Sequence, residues 1–147
     1  MLVFVILFLW IIVFLICNLP LFRLSSQQRE KIINYGLFHY TNINCAKSIK
    51  EEGLKGSPSH MGFPETLLGE LVWMYSLTNS NEIDTKHNIL VKKKRAMDNP
   101  EMYNCCLHLN SINEEYLNHI YVRLSDKAIV YRGKWFKPDS IEIIKKW

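Results

Sequence analysis

The sequence predicts an α+β protein: an N-terminal transmembrane helix followed by a small, strand-rich domain of mixed α+β type. Three observations predict it. Residues 1–22 carry no charge, every charged side chain falls after them, and that remainder is cut by Gly, Pro, Asn and Ser into strand-length runs with brief stretches at helical spacing.

Residues 1–17 are apolar without exception, and Asn18-Leu19-Pro20-Leu21-Phe22 extends the uncharged stretch to Arg23. A helix rising ~1.5 Å per residue needs about 20 such residues to cross a ~30 Å hydrocarbon core. A cleaved signal peptide would open on a basic residue, keep an apolar core of ~7–15 residues and end at a small-residue site. None of these is present, and the bulky Leu15-Ile16 before Cys17 does not suit lipoprotein acylation. An uncleaved span over residues 1–22, in contact with membrane lipid, is therefore expected. No basic residue precedes it, whereas Arg23, Arg29 and Lys31 follow. The positive-inside rule then gives a single-pass protein of the cell membrane with its C-terminal domain in the cytosol. Cys45, Cys105 and Cys106, an odd number with two adjacent, form a poor disulfide framework and suit a reducing compartment.

Residues 23–35 read as a juxtamembrane linker, with a short helix over 27–34, and residues 36–147 as the cytosolic domain. That layout leaves about ten residues between bilayer and first strand, a reach of at most ~35 Å. After the turn signal Tyr35-Gly36, the aromatic-rich Leu37-Phe38-His39-Tyr40 has strand character. Asn42 is placed to cap a helix carrying Ile43, Ala46 and Ile49 on one face, and Gly53 to end it. Residues 55–69 are rich in Gly, Pro and Ser and predict a loop of the length that often serves a site. A buried strand is expected over 70–77, a helix or mixed loop over 79–90, a strand over 103–109 and a helix over 112–120 on the spacing of Ile112, Tyr116 and Ile120. Strands over 120–124 and 128–131, joined by a turn at Ser125-Asp126, precede a last strand over 140–144.

With 18 Lys and Arg against 14 Asp and Glu, the chain is mildly basic, a balance that suits a phosphate-bearing partner without choosing one. Lys92-Lys93-Lys94-Arg95 is the strongest charge run; near a membrane it could contact anionic lipid or a protein partner, and otherwise it is a solvated surface. No aromatic–basic interleaving accompanies it, which argues against nucleic acid. The histidines (His39, His60, His87, His108, His119) and cysteines show no C-x-x-C, H-x-x-x-H or H-E-x-x-H spacing, so no metal site is expected. Cys106 and His108 alternate along a strand and share a face, an arrangement that serves a core as readily as a nucleophile pair.

One constellation carries more chemistry. Gly36-Leu37-Phe38-His39-Tyr40-Thr41, Ala46-Lys47-Ser48-Ile49 and Glu51-Glu52-Gly53-Leu54 together resemble the opening strand and helix of the ADP-ribosyltransferase superfamily, in its bacterial-toxin and RNA 2′-phosphotransferase-like branches. Ile129-Val130-Tyr131-Arg132-Gly133 and Pro138-Asp139-Ser140-Ile141 look like the closing strands of its small members. The resemblance implies NAD as substrate and cofactor. It assigns His39 to a ribose hydroxyl of NAD, since an imidazole offers one donor and one acceptor nitrogen. Tyr40 and Thr41 beside it and Ser76 are the remaining NAD contacts, and Tyr75 is the aromatic that stacks on nicotinamide. The third element is a late-strand glutamate that steadies an oxocarbenium-like transition state. Glu142 is the nearest candidate, with Glu101, Glu114 and Glu115 as alternatives.

Two functions stand on this reading. One is a membrane-anchored ADP-ribosyltransferase-like enzyme using His39, Tyr75 and Glu142. The other is a non-catalytic module, held at the membrane, that binds a protein partner or anionic lipid through the basic run and exposed aromatics such as Trp135 and Trp147.

Overall fold

Leu2–Asn18 form helix α1, and the chain leaves it at Leu19, whose extended backbone (φ −91°, ψ 142°) is the one a following proline favours. Pro20 cannot continue the helix, having no N–H to donate. The computed structural model describes residues 1–58, 65–74, 101–125 and 127–146. Among these residues no helix is long and apolar enough to cross a membrane. At 17 residues α1 is apolar up to its last residue, Asn18, but rises only ~26 Å, short of a ~30 Å hydrocarbon core. The expected span over 1–22 therefore needs correction: Pro20–Arg23 is a strand, β1, built into the domain's sheet. The expected ten-residue tether to the first strand also disappears, because β1 begins directly after α1.

Ser26–Tyr35 is helix α2, opened by a capping box in which the Ser25 side chain accepts from Gln28 N–H and the Gln28 side chain accepts from Ser25 N–H. Gly36 ends it with φ +70°, and a Cβ there would collide with the Leu109 carbonyl and the Asn110 side chain, so both the conformation and the space require glycine. Strand β2 (Leu37–Thr41) and helix α3 (Ile43–Glu52) follow as the residues predict: the Asn42 side chain accepts from Asn44 N–H, and Gly53 terminates the helix at φ +92°. Two short strands, β3 (Leu54–Lys55) and β4 (Ser57–Pro58), lie in the segment read as loop. A 3-10 turn (Glu65–Leu68) leads into β5 (Glu70–Met74). The helix or loop expected over 79–90 and the end of the strand expected over 70–77 lie outside the described residues.

The C-terminal part supplies β6 (Cys105–Asn110), a single helical turn α4 (Glu114–Leu117), β7 (Ile120–Arg123), β8 (Ile129–Arg132), β9 (Trp135–Phe136) and β10 (Ser140–Lys146). The helix expected over 112–120 is cut to α4 because Ile120 belongs to a different pattern. Ile120 and Val122 are both buried, two apart, and so lie on one face of a strand.

The strands make a five-stranded sheet in the order β1-β7-β8-β5-β4, a three-stranded sheet in the order β10-β6-β2, and the small pair β3-β9, all antiparallel. One core serves both large sheets. Val72, Met74, Ile120, Val122, Ile129 and Tyr131 line it from the first, and Leu37, Cys105, Leu107, Leu109 and Ile141 from the second. Ala46 enters it from α3 and Ile32 from α2. The domain is thus a small mixed α+β unit with strand-rich sheets, as the sequence indicates.

Candidate functional site

The edge strand β2 carries the residues that the sequence singles out. Its alternation sends Leu37, His39 and Thr41 to one face and Phe38 and Tyr40 to the other. Leu37 enters the main core, while Phe38 and Tyr40 join Cys106 and Tyr103 in a smaller cluster. His39 is half-buried where the two sheets meet, and its Nδ1 lies 2.8 Å from the carbonyl oxygen of Trp73 on β5. A carbonyl oxygen only accepts, so Nδ1 carries the proton in this bond and the neutral ring keeps its lone pair at Nε2. Burial lowers the His39 pKa below its ordinary value, against a smaller opposite effect of the Trp73 bond. His39 is therefore a neutral, fixed imidazole near pH 7 that offers Nε2 as a hydrogen-bond acceptor.

Tyr40 and Thr41 line a cavity of about 500 Å³ where β2 ends and α3 begins, together with Asn42, Asn44, Cys45, Glu101, Met102 and Tyr103. Two polar bonds shape its wall. Asn42 Nδ2 donates to the Glu101 carbonyl, and Ile43 N–H donates to Asn104 Oδ1 at 2.7 Å. His39 is not among the residues lining this cavity. Tyr75 and Ser76 lie just past β5, outside the described residues, as do Lys92, Lys93, Lys94 and Arg95.

Glu142 is not brought to His39. In the register β10-β6-β2, Glu142 faces His108 and His108 faces Phe38, whereas His39 aligns with Leu107 and Leu107 with Ile143. Directly paired residues share a face and neighbours along a strand do not, so Glu142 and His39 lie on opposite faces of the sheet. The structure does not bring this member of the expected triad together with His39. Of the alternatives, Glu101 shares the cavity of Tyr40 and Thr41, while Glu114 and Glu115 are exposed at the start of α4. His108 and Cys106 do share a face, but each has a structural role. The His108 ring stacks on Phe38 with centroids 4.7 Å apart, and its Nε2 donates to the Tyr35 carbonyl at 2.8 Å, while Cys106 is buried with Phe38 and Tyr40. None of the four cysteines is in a disulfide, and among the described residues no group of three His, Cys, Asp or Glu could hold a metal ion.

The outer face of the five-stranded sheet holds side chains the sequence reading did not single out. The Arg123 guanidinium stands 4.5 Å over the Trp73 ring and that of Arg132 stands 4.7 Å over Tyr121. Arg132 and Tyr121 also line a cavity of about 330 Å³ with Leu68, Glu70, His119 and Gly133. The signal was present in the period-2 alternation of Ile120-Tyr121-Val122-Arg123, which puts an aromatic and a cation on one face. Comparison with known protein families, with curated proteins and with solved structures finds no match.

Proposed function

We propose that this chain is a membrane-anchored protein whose domain binds NAD in the manner of an ADP-ribosyltransferase, with His39 accepting a hydrogen bond from a ribose hydroxyl. The observation that carries the reading is the bond from His39 Nδ1 to the Trp73 carbonyl, 2.8 Å long. It fixes the tautomer, and burial keeps the ring neutral, so Nε2 suits a hydroxyl donor. Tyr40 and Thr41 border a cavity with room for part of a nucleotide, and Glu101 on the same wall is the carboxylate assigned to the transition state in place of Glu142. Tyr75 and Ser76 keep the roles the resemblance gives them.

The anchor rests on α1. None of its residues is buried, and large side chains from Met1 to Ile16 stand open. Exposed apolar surface on this scale marks a membrane or protein contact, and a helix apolar on every side up to Asn18 fits lipid. Arg23, Arg29 and Lys31 put the domain on the cytosolic side. A second reading, a non-catalytic module that recognises a protein or anionic lipid, is favoured by the placement of Glu142 on the face away from His39.

The test is equilibrium binding of labelled NAD to the full chain in detergent, with transfer to acceptor followed in parallel. Binding weakened at least tenfold by His39→Ala, in a variant that keeps its circular dichroism, supports the NAD reading. Transfer abolished by Glu101→Gln with binding intact supports catalysis. Equal binding by wild type and His39→Ala, or none by either, leaves the interaction module.

A further inference from the structure

We propose that the turn between β7 and β8, with the exposed face of β1, is a second membrane contact that docks the domain on a leaflet containing anionic phospholipid. This rests on the reading of α1 as a membrane anchor. The Ser125 N–H donates to the Cys17 carbonyl at 3.0 Å, so the turn stands beside the last turn of α1 and satisfies a carbonyl the helix leaves open. From the other side β1 leaves the helix paired to β7, with Pro20 opposite Arg123 and Phe22 opposite Val122. Helix and sheet therefore meet at a braced joint, and Ser125 is held at the level of the last turn of α1.

The side chains at that joint match the boundary of a membrane. Leu21, Phe22 and Leu124 are 40%, 42% and 47% exposed, although they are large and apolar. Arg23 and Lys127 are exposed beside them, and Arg123 is half-buried. Residues 19–23 and 123–128 hold three Lys and Arg against one Asp in the sequence. Leu21, Phe22 and Leu124 continue the apolar surface of α1 onto the domain, and the exposed Arg23 and Lys127 offer cations to phosphate headgroups.

The experiment uses the full chain with Cys17 and Cys45, the two thiols that are not buried, changed to alanine and Leu124→Cys labelled with a fluorophore. It is mixed with vesicles of phosphatidylcholine alone or with about one third phosphatidylserine. Flotation reports the anchor, and quenching of the dye by acrylamide, a neutral aqueous quencher, reports docking. Expected is flotation with both vesicles and severalfold weaker quenching with phosphatidylserine, reversed by high salt and by the double change Arg23→Glu, Lys127→Glu. Equal quenching in both vesicles by a chain that floats overturns the docking surface and spares the anchor. A chain that floats with neither overturns both.

Discussion

Helix α3 turns Ala46 into the core, packs Ile43 and Ile49 against it and keeps Lys47, Ser48 and Lys50 in solvent, whereas α1 buries none of its 17 residues. Their ends differ in the same way. Asn42 caps α3 with its side chain and Gly53 closes it, while Met1 offers α1 no side-chain cap. At its C-terminus α1 borrows partners instead: Leu19 N–H donates to Leu15, and Ser125 N–H, from the domain, to Cys17. An amphipathic helix draws its stability from the core it covers, whereas an apolar helix of this exposure draws none from the core of its own domain. The difference separates helices that build the domain from one that adds nothing to its core.

The largest effect that tests this division is a core truncation. Phe136 is fully buried against Tyr116 and Tyr131, with ring centroids 5.0 and 5.1 Å away. Phe136→Ala should cost about 3–5 kcal/mol in urea unfolding of the detergent-solubilised chain. Phe8→Ala, at a position 65% exposed, should stay within ~0.5 kcal/mol in the same assay. A matching loss at Phe8 would mean that α1 packs on the domain, and the division would fail.

Next comes a charge in the middle of α1. Leu9→Arg puts a guanidinium where lipid is expected, and insertion should become less favourable by about 2.5–3.5 kcal/mol. The readout is the share of protein that floats with vesicles. A charge there that leaves flotation unchanged while domain stability falls would favour a protein partner for α1.

A smaller effect separates the two kinds of helix end. Asn42→Ala removes the cap of α3 and should cost about 1 kcal/mol of domain stability. Because Asn42 also donates to Glu101 and lines the cavity with Thr41, the variant should also weaken the NAD binding proposed for this chain. Met1→Ala should change neither quantity.

The same contrast explains what could be read in advance. The run from Gly36 to Gly53 was legible because each boundary is local: a glycine at positive φ, an alternating strand, an Asn cap and a second glycine at positive φ within one stretch. Strand β1 was not, because Pro20-Leu21-Phe22 continues the apolar run of α1 and only pairing with β7, about a hundred residues later, makes it a strand. The short β9 has two residues and no period to read. In the site, His39 was legible for the same local reason as β2. The face of Glu142 was not legible because it is set by register through β6, and shifting the alignment by one residue reverses every side chain.

The smallest effect is one of pH, and it reaches the domain alone. α1 holds no Asp, Glu, His, Lys or Arg, so the attachment to neutral lipid proposed for it should change little with pH. His39 is different, since burial holds its pKa below the ordinary value. An unfolded chain protonates this imidazole near pH ~6.5, while the folded chain does not until the pH is lower. Between the two values the unfolded state binds the extra proton, so stability is fully present above about pH 6.5 and is lost as pH falls through the folded pKa. Other groups add their own slopes, and the comparison that isolates His39 is wild type against His39→Gln, whose amide can still donate to the Trp73 carbonyl. The urea midpoint of wild type should fall more steeply on acidification than that of the variant, with flotation on phosphatidylcholine vesicles constant in both. Parallel midpoints would mean that His39 is already solvated at the seam and has no fixed neutral form to offer a ribose hydroxyl.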